Sequence, residues 1–388
     1  MQSKQVCVLG LGSIGLPTAC LLATSGYHVL GVDTNENVIK NVVSKEFSDP
    51  EPQLQELLKK VLQKGHLKVS TQVALADVHL IAVPTPLGPD NQPVLDHLHA
   101  AIDSIQPYLR AQDLVLIEST CPIGTTEILA KKLRAHCPGV RIAYCPERVL
   151  PGNILYELVH NDRIVGGIDE ASTLHAISFY RSFVSGEILP TATRTAEAVK
   201  LAENTYRDIN IAYANELSMI AEKLSLDVNE LIRLANRHPR VQILKPGAGV
   251  GGRCIAVNPW FLISSAPDLT TLTKTAREIN QKKANWVIEK IRSAIEQKKA
   301  STVACLGLTY KADVADTRES PALTIVQALE KEIEVLRVDP YVSNTTSLKE
   351  ALARSEIIVG LIPHLAFQSI HPQELAGKTV LDFAGVFH

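Results

Sequence analysis

The sequence predicts an α/β fold with two nucleotide-type sheets and a helical region between them. Three observations carry this prediction. An apolar run at Gln5–Leu9, QVCVL, leads straight into GLGSIG. A second run, TVACLGL from Thr302, also ends at a glycine, Gly307. Between them Thr195 to Leu224 repeats apolar residues every three or four positions, longer than an ordinary globular helix. At 388 residues the chain exceeds one ordinary core. The expected division is 1–194, 195–298 and 299–388.

The apolar content of 46% is that of a globular protein. A net charge of -2 and a pI near 6.6 supply no basic field for nucleic acid. No apolar run approaches the length of a membrane span, and no secretory leader is recognised at the N-terminus. The seven cysteines are scattered, without a CxxC pair. Disulfides and a structural zinc are therefore not expected, and a reducing cytoplasm fits. His136, His160 and His175 lack metal-ligand spacing, so no metal is expected.

Taken in order, the first strand runs into glycines 10, 12 and 15, then a helix over about Ile14 to Ser25, then the strand HVLGVD ending at Asp33. Gly10 permits a tight turn, Gly12 a close approach of pyrophosphate, and Gly15 helix–strand contact. Asp33 would accept both ribose hydroxyls and repel a 2'-phosphate, which favours NAD over NADP. The pattern defines a Rossmann-like dinucleotide-binding unit. A helix is predicted over Glu51–Leu62, then the strand VHLIAV at Val78–Val83, closed by PTP. Leu95–Leu109 is predicted helical and Leu114–Glu118 a strand. Thr85 and Thr120 thus sit at carboxyl ends of strands, where ligands collect, or serve as caps. A helix is expected from about Thr126, then a strand at Val140–Tyr144 ending in CPERVLPG. There Glu147 could activate water, or pair with Arg148 at the surface. IVGG at Ile164–Gly167 and a helix from Asp169 to about Ser182 complete six or seven parallel strands.

On the long helix Lys200 and Asn204 are four apart and share a face. They could steady an oxyanion, or simply face solvent. Its length makes the helix a candidate dimer surface. Val228–Ala235 reads as a second helix. Arg237, His238, Pro239 and Arg240 form a basic cluster, and arginine suits phosphate or carboxylate. The stretch Lys245–Phe261, KPGAGVGGRCIAVNPWF, places Cys254 beside glycines, with Arg253 and Lys245 near. Positive charge favours the nucleophilic thiolate; the alternative is a glycine turn with an inert thiol. Thr273–Ser293 is read as a helix with Asn280 and Lys283 exposed toward a ligand. In the last domain Ser320 caps a helix beginning at Pro321, and EVLRVDP, IIVGLI and TVLDFAG are strands. Lys311 and Arg318 could bind a second phosphorylated ligand, with Cys254 between the domains.

These motifs together resemble the UDP-glucose/GDP-mannose dehydrogenase family. The similarity runs through GLGSIGLP, VPTP, ESTCPIGTTE, CPERVLPG, KLAENTYRDINIAYANELS, NRHPRVQILKPGAGVGGRCIAVNPWF and LGLTYKADVADTRESPA. CPERVLPG with GGxCIAVxPWF is closer to the branch that oxidises UDP-N-acetyl-D-mannosamine than to glucose dehydrogenases. The resemblance implies a four-electron oxidation of the sugar 6-hydroxyl to the carboxylate, with two NAD consumed. Cys254 matches the nucleophile that carries a thiohemiacetal and then a thioester. Lys200 and Asn204 match oxyanion-stabilising residues, and Thr120 and Glu147 those around the attacking water. Arg148, Arg240, Gly251 and Lys311 fall to the UDP-sugar, together with Lys200 and Asn204. Arg240 is expected to reach it across a homodimer. Gly10, Gly12, Ile14, Gly15, Asp33, Thr85, Thr120 and Arg318 fall to the cofactor. The chain departs from the family at Asn258, where aspartate is usual, at Ala248 for proline, at Arg253 for histidine and at Ser13 for an aromatic. Asparagine cannot take a proton, so a weakened enzyme or a silent sugar-nucleotide binder is the competing expectation. Another is a 6-dehydrogenase of UDP-N-acetylglucosamine or UDP-glucose.

Overall fold

The computed structural model describes residues 4–44, 52–149 and 152–387. Glu51, the predicted start of one helix, and Leu150 and Pro151 of CPERVLPG lie outside the described residues. The chain divides into two compact units, Met1–Ala202 with Trp260–Ser265, and Glu203–Pro259 with Ala266–His388.

The first unit is an α/β sheet of eight strands. In chain order these are β1 (Gln5–Leu9), β2 (His28–Val32), β3 (Leu67–Ser70), β4 (Val78–Ile81), β5 (Leu114–Ile117), β6 (Arg141–Tyr144), β7 (Arg163–Gly167) and β8 (Ile188–Ala192). Their order across the sheet is β3-β2-β1-β4-β5-β6-β7-β8. The order reverses between β1 and β4, the position where open α/β sheets form a ligand crevice. Helices α1 (Gly15–Thr24), α2 (Glu36–Ser44), α3 (Pro52–Gln63), α4 (Asp96–Ile105), α5 (Thr125–His136), α6 (Ile154–His160) and α7 (Glu170–Tyr180) connect the strands. Two apolar clusters form the core, one including Val8, Leu22, Leu54 and Leu80, the other Ile81, Ile102, Val115 and Leu133.

The expectation of an all-parallel sheet needs correction, because β7 runs antiparallel to β6. A fully apolar run buries the same side chains in either ladder, so its direction leaves no mark in the sequence. Two edge strands also escape the sequence reading. β8 contains Pro190, which argues against a strand except at an edge. β3 is only four residues long.

The second unit has helices α8 (Thr193–Lys223), α9 (Val228–Ala235), α10 (Asn258–Ser265) and α11 (Thr271–Lys298), with the unit division falling within α8 and α10. Its sheet is parallel, in the order β10-β9-β11-β12, from β9 (Thr302–Leu306), β10 (Glu334–Val338), β11 (Ile357–Gly360) and β12 (Thr379–Asp382). Helices α12 (Pro321–Leu329) and α13 (Leu348–Arg354) complete it, and α11 and α12 pack on the sheet through Val287, Ile291, Ile325 and Leu329.

The predicted apolar repeat of the long helix α8 is not its buried face. Tyr206, Tyr213, Ile220 and Leu224, all on its predicted apolar repeat, are exposed. Asn204, Asp208, Asn215 and Ser218 are buried. The reason lies on α11. Asn280 and Lys283, expected at the surface, are 2% and 1% exposed. Arg277 Nη1 donates to Asp208 Oδ1 at 2.7 Å, Asn280 Nδ2 donates to the same oxygen at 2.8 Å, and Asn215 Nδ2 donates to Asn280 Oδ1 at 2.9 Å. Lys283 Nζ donates to Ser218 Oγ at 2.7 Å and lies 3.8 Å from the Trp286 ring centre. Asn280 and Lys283 thus join α11 to α8, and the expected ligand role is withdrawn.

Candidate active site

The cofactor end of the first unit is set by three turns of chain. Gly10 has φ +91, and a Cβ there would stand 2.5 Å from Ala82 O. A Cβ at Gly15 would stand 1.8 Å from Gly10 O, so the turn closes only with glycine at both positions. Gly12 meets nothing within 4 Å, which leaves its backbone open to a ligand. Helix α1 begins after Ile14, which gives its N-terminus no side-chain cap. Its first N–H groups therefore suit an anion such as a pyrophosphate. Asp33 stands half-buried just past β2. Its Oδ2 accepts from Leu11 N at 3.0 Å and its Oδ1 from Asn35 N at 2.9 Å. Each oxygen keeps a lone pair for a ribose hydroxyl. These residues fit a dinucleotide.

Thr85 and Thr120 follow β4 and β5, both half-buried. Neither caps a helix, since the residues preceding α4 and α5 are Leu95 and Gly124. Glu147 is buried rather than part of an exposed ion pair. Its Oε2 accepts from Val149 N at 3.0 Å, and its Oε1 has no partner among the described residues. Lys200 Nζ, reaching from α8, donates to Glu147 O. Arg148 donates to Asp162 O. Asn204, one turn beyond Lys200 on α8, is buried.

Four buried residues to which the sequence reading gave no role support this corner. Glu197, one turn before Lys200, accepts from Gly124 N at 2.6 Å and Thr126 N at 2.7 Å, which holds the Cys121–Thr126 loop to α8. Glu118 accepts from Tyr180 Oη at 2.7 Å. Burial pushes its carboxyl up, against the pull of the buried Arg163. The one available signal was the spacing of Glu197 from Lys200 on the helix.

In the second unit Cys254 is the one exposed cysteine of the seven. Burial pushes the thiols of Cys7, Cys20, Cys145 and Cys305 up to about 12, and that of Cys121 well above its ordinary value. They are inert fillers by comparison. Cys254 O accepts from Asn258 N at 2.8 Å, so the thiol stands one turn ahead of α10. Asn258 is buried and its Nδ2 has no partner among the described residues. Arg253 and Arg318 both lie near Cys254. Arg318 is paired with Asp316, its Nε donating to Oδ1 at 2.7 Å. Tyr310 shares this neighbourhood, and nothing in the sequence marked it. A Cβ at Gly252, where φ is +81, would stand 2.7 Å from its ring, and one at Gly251 would stand 2.3 Å from Glu319 O. The glycines of this stretch therefore let it lie against the Tyr310–Glu319 segment. Ala248 is buried against the sheet core. Arg240 and Lys311 are exposed cations. Among the described residues no cluster of His, Cys, Asp or Glu could hold a metal ion.

The dinucleotide turn in one unit and the exposed thiol among arginines in the other define a pyridine-nucleotide oxidoreductase. The chain belongs to the UDP-glucose/GDP-mannose dehydrogenase family. It matches that family's NAD binding domain over residues 4–184, its central domain over 194–282 and its UDP binding domain over 304–388. It is 47% identical to a UDP-N-acetyl-D-mannosamine dehydrogenase of Methanocaldococcus jannaschii, over 96% of this chain and 88% of that one. It is 42% identical to an NDP-N-acetyl-D-galactosaminuronic acid dehydrogenase of Ralstonia nicotianae, over 99% and 96%. The solved structure of a UDP-D-ManNAc dehydrogenase from Pyrococcus horikoshii superposes with a TM-score of 0.93 at 39% identity, covering 99% of this chain and 96% of the other. The protein is an NAD-dependent dehydrogenase of a nucleotide sugar.

Proposed function

We propose that the protein oxidises the 6-hydroxyl of UDP-N-acetyl-D-mannosamine to the carboxylate, giving UDP-N-acetyl-D-mannosaminuronate. The observation that carries this reading is Cys254, an exposed thiol with two arginines close by, in a chain where five of the other six thiols are buried and Cys137 is half-buried. The relatives from Methanocaldococcus jannaschii and Pyrococcus horikoshii support the choice of sugar.

NAD, when bound, supplies the hydride acceptor for both oxidation stages, two per sugar. Gly10, Gly12, Ile14 and Gly15 would hold its pyrophosphate and Asp33 its ribose, with Thr85, Thr120 and Arg318 beside it. Once the 6-hydroxyl has become an aldehyde, Cys254 Sγ bonds to its carbon and the oxygen gains a proton, giving a thiohemiacetal. Loss of a hydride and that proton leaves a thioester. Water then adds, the C–S bond breaks, and carboxylate and free thiol result. The Lys200 ammonium and the Asn204 amide stabilise the oxyanion at each tetrahedral stage. Glu147 takes the proton of a water held with Thr120. Arg148, Arg240, Gly251 and Lys311 bind the nucleotide sugar. The exposed row Tyr206, Tyr213, Ile220 and Leu224 supports a homodimer through α8, and the seven free thiols suit the cytoplasm.

A second reading has a specific support of its own. The 42% identity to the Ralstonia nicotianae enzyme favours a galactosamine-type sugar. The deciding measurement is NADH formed per sugar nucleotide consumed, on UDP-N-acetylmannosamine, UDP-N-acetylgalactosamine, UDP-N-acetylglucosamine and UDP-glucose in turn. Two NADH on the mannosamine donor, lost in Cys254→Ser, is the expected result. Turnover surviving in Cys254→Ser overturns the thioester course, and preference for another donor overturns the sugar. Asn258→Asp would put a proton acceptor at a buried position, and turnover is expected to rise on the order of tenfold. An unchanged rate would remove that position from water activation.

A further inference from the structure

The second sheet carries a buried imidazole that its function has not yet absorbed. The order of that sheet reverses between β9 and β11, and His364 stands just past β11 in that crevice, 1% exposed. Asp313 N donates to His364 Nδ1 at 2.9 Å, so Nδ1 is an acceptor and the ring proton sits on Nε2. From Nε2 the ring reaches Asp339 Oδ2 at 3.0 Å and Thr309 Oγ1 at 3.2 Å. Thr309 Oγ1 in turn donates to Lys311 O at 2.8 Å. One imidazole therefore grips both sides of Lys311, through Thr309 before it and Asp313 after it.

The gripped turn is not relaxed. Asp313 has φ +59, a left-handed conformation that a side chain disfavours. It is retained by the bond to His364 and by its own Oδ1, which accepts from Leu365 N at 3.0 Å and Tyr341 Oη at 3.3 Å. The same segment carries Tyr310, against which Gly252 packs, and Arg318, which lies near Cys254. A loop with exposed Lys311, held in an unfavourable conformation by a buried side chain from a distant strand, is pre-organised rather than incidental.

We propose that His364 is a positioning residue for nucleotide-sugar binding. By fixing the Thr309–Asp313 turn it sets the place of the Lys311 ammonium toward a diphosphate. This rests on the proposed reading that Lys311 serves the nucleotide sugar. Asp339, buried just past β10, anchors the ring through Nε2.

The test is a double-mutant cycle on the full chain, with KM for the UDP-sugar, kcat and NAD affinity measured for Lys311→Ala, His364→Leu, the pair, and His364→Gln. Glutamine keeps one donor and one acceptor, so it should restore much of what leucine loses. The expectation is a KM about tenfold higher in both His364→Leu and Lys311→Ala, with NAD affinity unchanged. The pair should show little further rise, because the two act as one unit. A normal KM in His364→Leu beside a raised one in Lys311→Ala overturns the proposal. So do fully additive effects, or a His364→Gln enzyme that binds NAD normally yet is as poor as the leucine variant. A normal KM in Lys311→Ala removes the role assigned to that lysine, and the proposal with it.

Discussion

The two nucleotide-type sheets begin alike and end differently. In the first, Gly10 at φ +91 donates its N–H to Val32 O at 2.8 Å, and Leu11 N binds the carboxylate of Asp33. In the second, Gly307 at φ +90 donates to Val338 O at 2.8 Å, and Leu308 N binds the carboxylate of Asp339 at 2.6 Å. The turn and the acid occupy matching places. What differs is what remains free. Asp33 is half-buried and holds two backbone N–H groups. Asp339 is 4% exposed and is surrounded by Leu308 N, Thr309 N, Tyr341 N and His364 Nε2. Four residues beyond the paired end of the neighbouring strand, Thr85 in one sheet matches His364 in the other. One crevice is left open and the other is filled by the protein's own side chains. A repeated backbone motif thus does not guarantee a repeated ligand.

Removing each acid should separate the two roles. Asp339→Ala leaves His364 and three backbone donors unsatisfied in a buried place, and is expected to cost roughly 3 kcal/mol of stability. Urea unfolding would read this as a lower midpoint. A wild-type midpoint would mean that the filled crevice contributes nothing to the fold. Asp33→Ala should spare stability and instead raise the Kd for NAD about ten- to hundredfold, the loss of a charged hydrogen-bond acceptor. Calorimetric titration measures it. If Asp33→Ala lowered the unfolding midpoint as far as Asp339→Ala while binding NAD normally, the contrast between open and filled crevice would be lost.

The first crevice was legible in the sequence because its chemistry is local. GLGSIG and Asp33 lie within one strand–helix–strand unit, where spacing alone fixes geometry. The filled crevice was not, since Asp339 and His364 come together only through the pairing of β9 with β10 and β11. Most strands and the ends of α1, α3 and α9 were legible for the same local reason, while α2, α6, α10 and α13 went unmarked, and the reversed β7 and the proline-bearing edge strand β8 depend on neighbours. Lys283 shows the limit most plainly. Its charge suggested an exposed ligand contact, yet burial against α8 brings its pKa down from 10.5 to about 7. Between those values the unfolded chain holds a proton that the folded chain does not, so this group makes stability rise with pH across that window. Below pH 7 the fold must bear a buried ammonium, softened by Ser218, the Trp286 ring and the charge of Glu222. Lys283→Met should therefore stabilise the protein by about 1–2 kcal/mol near pH 6 and by less near pH 10. Equal unfolding midpoints for the variant and wild type at both pH values would show that the lysine is not desolvated in this way.

The contrast between the sheets extends to the helices that follow their first strands. α1 begins directly after the glycine turn with Ile14 ahead of it and no side-chain cap. α12 begins later, with Pro321 in its first turn and Ser320 Oγ accepting from Leu323 N at 3.3 Å while donating to Thr309 O at 3.1 Å. One helix leaves its amide groups for an anion, and the other satisfies them within the chain. Ser320→Ala should then cost about 1 kcal/mol of stability, the usual loss of a cap. Because Thr309 also belongs to the turn held by His364, the KM for the UDP-sugar should rise slightly while the Kd for NAD stays fixed. Chemical unfolding and steady-state kinetics on one preparation measure all three. A change in NAD affinity from Ser320→Ala would mean that the second sheet's capped helix, and not only Arg318 ahead of it, takes part in cofactor binding, and the division of labour drawn from the two acids would have to be abandoned.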